Sequence, residues 1–377
     1  MDFMLSEEQE MLRKSARDFL TDKCPKSYVR QMAVDEKGYS LALWQEMAGL
    51  GWMGLAIPDQ YGGFGMEFID LAVLHEEMGR ACLPGPFFST VVLGALTILE
   101  NGSDKQKAVY LPEIVAGKMI MTMALNEADG LYEAGSIATT AFAERDDYII
   151  NGTKLFVPYA HAADYILCVA RTSNEKDEKK GITVFIVPAK ASGIKYKLLK
   201  TIAGDKLCEV TFENVIVAKD NVLGRVGEGW PIVEKTMECA AAAVCCDTVG
   251  VLQKVLEMTV DYTKERKQFG KPIGAFQVIQ QYMADMMTNV DGLRFVSYQA
   301  AWRISEGLPA TRETAIAKAW SAEAYERCIT LAHQIFGAVG VTGDHDLHFY
   351  TTRGKAAQLS YGNADFWREK VAKTMGL

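Results

Sequence analysis

Residues 229–272 read GWPIVEKTMECAAAAVCCDTVGVLQKVLEMTVDYTKERKQFGKP. Between Pro231 and Lys264 the one Gly or Pro is Gly250, and the other residues are good or tolerable helix formers. The spacing predicts one long helix. From Cys239 to Cys246 every side chain is small except Val244. A helix that presents small side chains over that length leaves space for another backbone or for a bulky ligand. One carboxylate, Asp247, closes the run. At about 100° per residue Ala240 and Asp247 share a face, whereas Glu238 and Asp247 lie on roughly opposite faces. Asp247 therefore looks toward the space, either as a buried, hydrogen-bonded structural acid or as a reactive group. The helix ends in a basic turn, Lys264-Glu265-Arg266-Lys267-Gln268-Phe269-Gly270, closed by Pro272.

Working toward the N-terminus, the texture changes twice. Residues 119–226 hold short apolar or β-branched runs at 119–125, 137–143, 148–150, 165–170, 182–187, 194–199, 208–212 and 215–217. Turn signals such as Asn151-Gly152 and Ser192-Gly193 separate them, which predicts an antiparallel β-sandwich or barrel. No helices alternate with these strands, which argues against a Rossmann fold. The charged stretch 172–180 reads as a solvated loop. Residues 1–118 read as helices. Ser6 with Gln9 three residues later is a capping box, and Leu43, Trp44, Met47 and Leu50 recur at helical spacing until Gly51. The Gly-rich loop 58–65 lacks the Lys-Ser/Thr of a P-loop. Beyond residue 272 helices are expected at about 275–307, 309–338 and as a pair around 350–375. The expected architecture is an α+β multidomain chain: N-terminal helical domain 1–118, β domain 119–226 and C-terminal four-helix bundle 227–377.

The chain has 377 residues, 49% hydrophobic and 23% charged, which suits a globular protein of two or three domains. A net charge of −8 leaves no basic footprint for nucleic acid. Neither the eight cysteines nor the five histidines show metal-ligand spacing, so no metal site is expected. No signal-peptide pattern opens the sequence, and no apolar run reaches the ~20 residues of a membrane span. A cytoplasmic location with reduced cysteines is the expectation.

This order of elements, together with Leu5-Ser6-Glu7-Glu8-Gln9, Gly62-Gly63, Arg266-Lys267-Gln268-Phe269-Gly270 and Gln334-Ile335-Phe336-Gly337, resembles the acyl-CoA dehydrogenase family over essentially the whole chain. The resemblance implies FAD as cofactor, an acyl-CoA substrate desaturated between its α and β carbons, and electron-transfer flavoprotein as acceptor. It implies that Arg266, Gln268, Phe269, Gln334, Gly337 and Gly340 cradle the adenosine and pyrophosphate of a neighbouring subunit's FAD, so the chain works as an oligomer, tetramers included. Asn126 and Glu127 match the family's Thr-Glu before the flavin ring, and Phe156 matches a ring-facing Trp. Tyr132 stands where the family has a pyrophosphate-binding Ser. Ala240, Ala243, Tyr361 and Gly362 fall at substrate-lining positions.

Two positions that carry the family's α-proton base hold other residues here, Tyr361 before Gly362 and Ala240 on the central helix. A third variant places the acid further along that helix and matches Asp247. Leu131-Tyr132-Glu133 and Tyr361-Gly362-Asn363-Ala364-Asp365 resemble the small-subunit branch, such as the pimeloyl-CoA dehydrogenase small subunit, which works beside a second subunit. The expectation is FAD-dependent α,β-dehydrogenation of a cyclic, branched or dicarboxylic acyl-CoA with Asp247 as base. The alternatives are a non-catalytic subunit that completes a partner's FAD site in a heterotetramer, and an acyl-CoA binder without flavin. If Asp247 is not the base, Glu127 and Asp365 are the next carboxylates.

Overall fold

A computed structural model describes residues 4–377. The chain opens with α1 (Glu7–Lys23), whose N-cap Ser6 and Gln9 form the expected capping box, followed by α2 (Lys26–Val34), α3 (Leu41–Gly49) and α4 (Phe68–Ala81). A π-helical stretch, Ser89–Ala95, runs into α5 (Leu96–Asn101), and α6 (Asp104–Val115) follows a second capping box, Ser103 with Gln106. The strands are β1 (Met121–Ala124), β2 (Thr140–Glu144), β3 (Asp147–Pro158), β4 (Tyr165–Arg171), β5 (Ile182–Pro188), β6 (Ile194–Leu198), β7 (Leu207–Ala218) and β8 (Val222–Leu223). Then come α7 (Trp230–Glu265), the hairpin β9 (Lys267–Gln268) and β10 (Lys271–Pro272), α8 (Gln277–Ser305), α9 (Thr311–Phe336), α10 (Leu347–Leu359) and α11 (Ala364–Thr374).

These elements form two compact units. One is wholly helical apart from the β9–β10 hairpin and combines residues up to Arg30 with 68–83 and 241–377. The other combines 31–67 with 84–240 and holds the sheet. The helices of the first 118 residues are thus shared between the units.

In the sheet unit the strand order is β6-β7-β3-β2-β4-β5-β8, with β1 beside β4. The sheet is mixed, where alternation alone suggested an antiparallel one: β1 runs parallel to β4, Met121 opposite Tyr165, and β2 meets β4 in parallel at Thr140 and Arg171. Parallel neighbours need a long crossover, and here β2 and β3 lie between β1 and β4 in sequence. Asn151-Gly152, expected as a turn, lies inside β3 at a register shift against β7. Gly152 has φ of 152°, and a Cβ there would lie 2.5 Å from the Thr139 hydroxyl. A bulge of this kind takes glycine because the backbone of its neighbour approaches so closely.

In the helical unit α7 crosses α4 at two glycines. A Cβ on Gly79 would lie 1.9 Å from the Asp247 carbonyl oxygen, and one on Gly250 would lie 1.8 Å from that of Glu76. The space beside this part of α7 is therefore filled by the backbone of α4. Six residues before Asp247, Ala241 packs with Ala315, Ala319 and Trp367 of α9 and α11. Among the described residues α7 is the one helix long and apolar enough to cross a membrane, yet 89% of its most apolar window is buried inside the protein.

Candidate functional site

The central acid of α7 is bound from α10. Arg353 donates from Nε to Asp247 Oδ2 at 3.0 Å and from Nη2 to Oδ1 at 2.5 Å, and its Nη1 donates to the Leu83 carbonyl at 2.9 Å. Asp247 is 8% exposed. A bidentate guanidinium gives a carboxylate two strong charge-assisted hydrogen bonds, so Asp247 has the geometry of the structural acid that the sequence also allowed. Its surroundings are dry. Desolvation pushes the pKa of buried His75 down to about 4, with Asp247 opposing and Arg353 reinforcing that shift.

The substrate positions expected on α7, Ala240 and Ala243, are both 0% exposed and do not line a solvent-reachable cavity in this structure. Tyr361 and Gly362 form the turn between α10 and α11, both with left-handed backbone, φ 55° and 96°. The Tyr361 carbonyl accepts from Trp367 Nε1 at 2.9 Å. The Gly362 carbonyl accepts from Lys318 Nζ at 3.2 Å, and the same ammonium donates to Ala357 at 2.9 Å and Gln358 at 3.4 Å. Lys318 is 1% exposed, and burial pushes its pKa down to about 8. Sequence reasoning missed this lysine; its signal is a lone cation inside the apolar face of α9. Asp365 is exposed and paired with Arg368 at 2.7 Å.

In the sheet unit the Glu127 carboxylate is turned inward. Its Oε1 accepts from Lys154 Nζ at 2.7 Å and from the Thr139 amide at 3.0 Å, and its Oε2 accepts from the Ala138 amide at 3.1 Å. Lys154 is fully buried and also donates to the Leu125 carbonyl. Burial works to raise the Glu127 pKa, but Lys154 and the donors of Thr139 outweigh it and hold the carboxyl below its ordinary value. Glu127 thus braces the loop between β1 and β2. Asn126 accepts the Leu155 amide on its carbonyl at 2.8 Å. Phe156 follows at the second register shift of β3, with φ of 55° and 51% exposure. Bulges re-aim side chains in this way.

The two segments at the other end of the helical unit are brought together. The Tyr262 and Phe336 rings stack at 4.5 Å, joining the last turns of α7 and α9. Just beyond them lie the β9–β10 hairpin and the Gly337 to Val341 turn. Phe269 and Gly270 form the hairpin's two-residue tip, both with positive φ as a type I′ turn requires, and Phe269 is 93% exposed. Arg266, Gln268 and Gln334 are exposed, and among the described residues the Arg266 guanidinium has no ion-pair partner. Gly337 has φ of 61° with open space where a Cβ would be. Gly340 is a packing glycine instead: a Cβ there would lie 2.8 Å from that of Phe336 and 3.3 Å from His333 Nδ1. That nitrogen is buried and has no hydrogen-bond partner among the described residues. An exposed guanidinium, two side-chain amides and open glycine backbone form a donor set suited to phosphate.

Three family models match the chain: the acyl-CoA dehydrogenase N-terminal domain over residues 6–118, the middle domain over 122–215 and the C-terminal domain over 227–376. A probable acyl-CoA dehydrogenase of Bacillus subtilis is 30% identical over 382 residues, spanning all of both chains. Butyryl-CoA dehydrogenase from Megasphaera elsdenii superposes with a TM-score of 0.93 at 29% identity, again over all of both chains. A chain of the ChsE4-ChsE5 complex from Mycobacterium tuberculosis superposes with a TM-score of 0.91 at 27% identity, covering 100% of this chain and 99% of that one.

Proposed function

The chain belongs to the acyl-CoA dehydrogenase family, and from that premise we propose that it serves FAD-dependent α,β-dehydrogenation of an acyl-CoA thioester as one subunit of a heteromeric assembly whose α-proton base is carried by a second chain. FAD is the cofactor of this family; when bound, it accepts the β-hydrogen as hydride. The reaction also requires a carboxylate to remove the α-proton. The observation that carries the proposal is the pairing of Asp247 with Arg353. The two other family positions for the base hold Ala240 and Tyr361, and the remaining acids under consideration are held by Lys154 and Arg368.

On this reading the chain's own contribution is to hold FAD. Arg266 offers charge-assisted hydrogen bonds to its phosphates, Gln268 and Gln334 offer amide groups, and Gly337 allows close backbone approach. Asn126 and Phe156 belong to the ring-facing side. Glu127 contributes only by bracing the β1–β2 loop that carries Asn126. A heteromeric arrangement has a parallel in the ChsE4-ChsE5 complex, and electron-transfer flavoprotein is the acceptor we propose.

A second reading keeps Asp247 as the base for a cyclic, branched or dicarboxylic acyl group. The observation that favours it is the 28% exposure of the Arg353 side chain, which leaves the guanidinium a route away from the pair. Anaerobic flavin bleaching by a panel of acyl-CoAs, with the chain alone and mixed with its partner subunit, separates the two. Bleaching confined to the mixture and retained in Asp247→Asn is expected. Bleaching by the chain alone, lost by ~10² or more in Asp247→Asn, overturns the first reading for the second.

A further inference from the structure

A cleft of about 220 Å³ opens in the helical unit, lined by the last turns of α1 and α4, the start of α2, and residues of α7 and α10. Its charged residues are Arg17, Lys26, Glu77, Arg80 and Lys254. Pairing accounts for some of them. Arg17 donates to both Glu77 oxygens at 2.9 and 2.6 Å, and Arg80 donates to both oxygens of neighbouring Glu257 at 2.7 and 2.5 Å. Each of these carboxylates is therefore taken by its own guanidinium.

Lys26 and Lys254 are left over. Lys26 Nζ donates to the Ala81 carbonyl at 2.6 Å and sits 4.7 Å from the centre of the Tyr350 ring. Among the described residues no carboxylate lies within ion-pair distance of it. An ammonium has three donors, so two remain. Lys254 reaches Glu257 only at 3.9 Å, and Arg80 already holds that carboxylate. Cys24, also in the cleft, adds no negative charge, because burial pushes its thiol up to about 12. Desolvation lowers the pKa of Lys26, a cost that a bound anion relieves. Water occupies about 30 Å³ per molecule in the liquid, so the cleft has room for a phosphate with a short substituent.

We propose that this cleft binds a small doubly charged anion, a phosphate or phosphate ester, between Lys26 and Lys254. The inference stands independently of the flavin reading. The test is thermal unfolding of the full chain, in whatever flavin state it purifies, at fixed ionic strength. Chloride is replaced stepwise by inorganic phosphate or by glycerol phosphate, and calorimetric titration with the same two probes gives the affinity. A saturating rise in Tm is expected, with Lys26→Gln and Lys254→Gln each weakening binding about tenfold or more, as loss of a charge-assisted hydrogen bond does. Equal affinity for the two probes assigns the site to the phosphate group alone; tighter glycerol phosphate binding assigns it to an ester. A rise that never saturates, or one unchanged in both variants, reflects general salt exclusion and overturns the proposal. Lys254 has a side chain 36% exposed, so its variant keeps the fold if Lys26→Gln does not.

Discussion

Arg353 grips both carboxylate oxygens of Asp247 across 106 positions of sequence, tying α10 to the middle of α7. Removing one member of a buried pair leaves the other charge uncompensated, which costs about 3–5 kcal/mol. Arg353→Met, which also strips the Leu83 carbonyl of its donor, should lower stability by about 3 kcal/mol in urea unfolding. Asp247→Asn keeps a hydrogen-bonding partner and should cost less. Equal losses in both variants, or none in either, would show that the pair does not hold the two helices.

The α4–α7 crossing makes a sharper test, because it leaves no room for a methyl group. Gly79→Ala and Gly250→Ala each place a Cβ under 2 Å from a carbonyl oxygen. Overpacking of a tight core costs about 1–3 kcal/mol and sometimes more, and here the obstacle is backbone that cannot rotate away. Each variant should lose at least the upper end of that range or fail to yield folded protein. Gly49→Ala, at the end of α3 with nothing near its Cβ, should be neutral or slightly stabilising.

His75 sets an acid limb to stability. Its pKa is about 4 in the folded chain against an ordinary 6.5, chiefly through desolvation. Between those values the unfolded chain binds more protons, so stability is full above about pH 6.5 and falls as pH drops toward 4. A shift of that size is worth about 3 kcal/mol. Unfolding free energy measured from pH 7 to 4 should show this slope, and His75→Gln should flatten it. A parental slope in the variant would assign the limb to other groups.

Lys154 and Glu127 form the sheet unit's counterpart to the α7 pair. Lys154→Met leaves Glu127 buried without a cation and should cost about 3 kcal/mol or more. Adding Glu127→Gln should restore part of that loss, since the amide no longer carries an unpaired charge. Strict additivity of the two single effects would mean the groups are not coupled.

Arg266 is exposed and, among the described residues, without an ion-pair partner, so removing it should leave folding untouched. Arg266→Ala should weaken FAD binding by about 1.5–3 kcal/mol, the worth of a hydrogen bond to a charged group. Flavin released on dialysis, with an unchanged Tm for the apo chain, is the expected result. Unaltered retention would remove Arg266 from the cofactor site.

Local rules were enough to read much of this chain. The length of α7, the capping box at Ser6 and Gln9 and the helical–β–helical order all follow from periodicity, propensity and end signals that act within a few residues. Face arithmetic also placed Asp247 toward the side of α7 where small residues make room. It could not say what fills that room. The backbone of α4 enters at Gly79 and Gly250, and the guanidinium that neutralises Asp247 arrives from α10. The same limit applies to Glu127, whose partner Lys154 lies 27 positions away, and to β1, whose parallel neighbour is β4. Sequence pattern states which face of an element is apolar or small, because that depends on the element's own repeat. Which distant group meets that face depends on how the elements pack, and that alone decided that the carboxylates of Asp247 and Glu127 are bound within the protein.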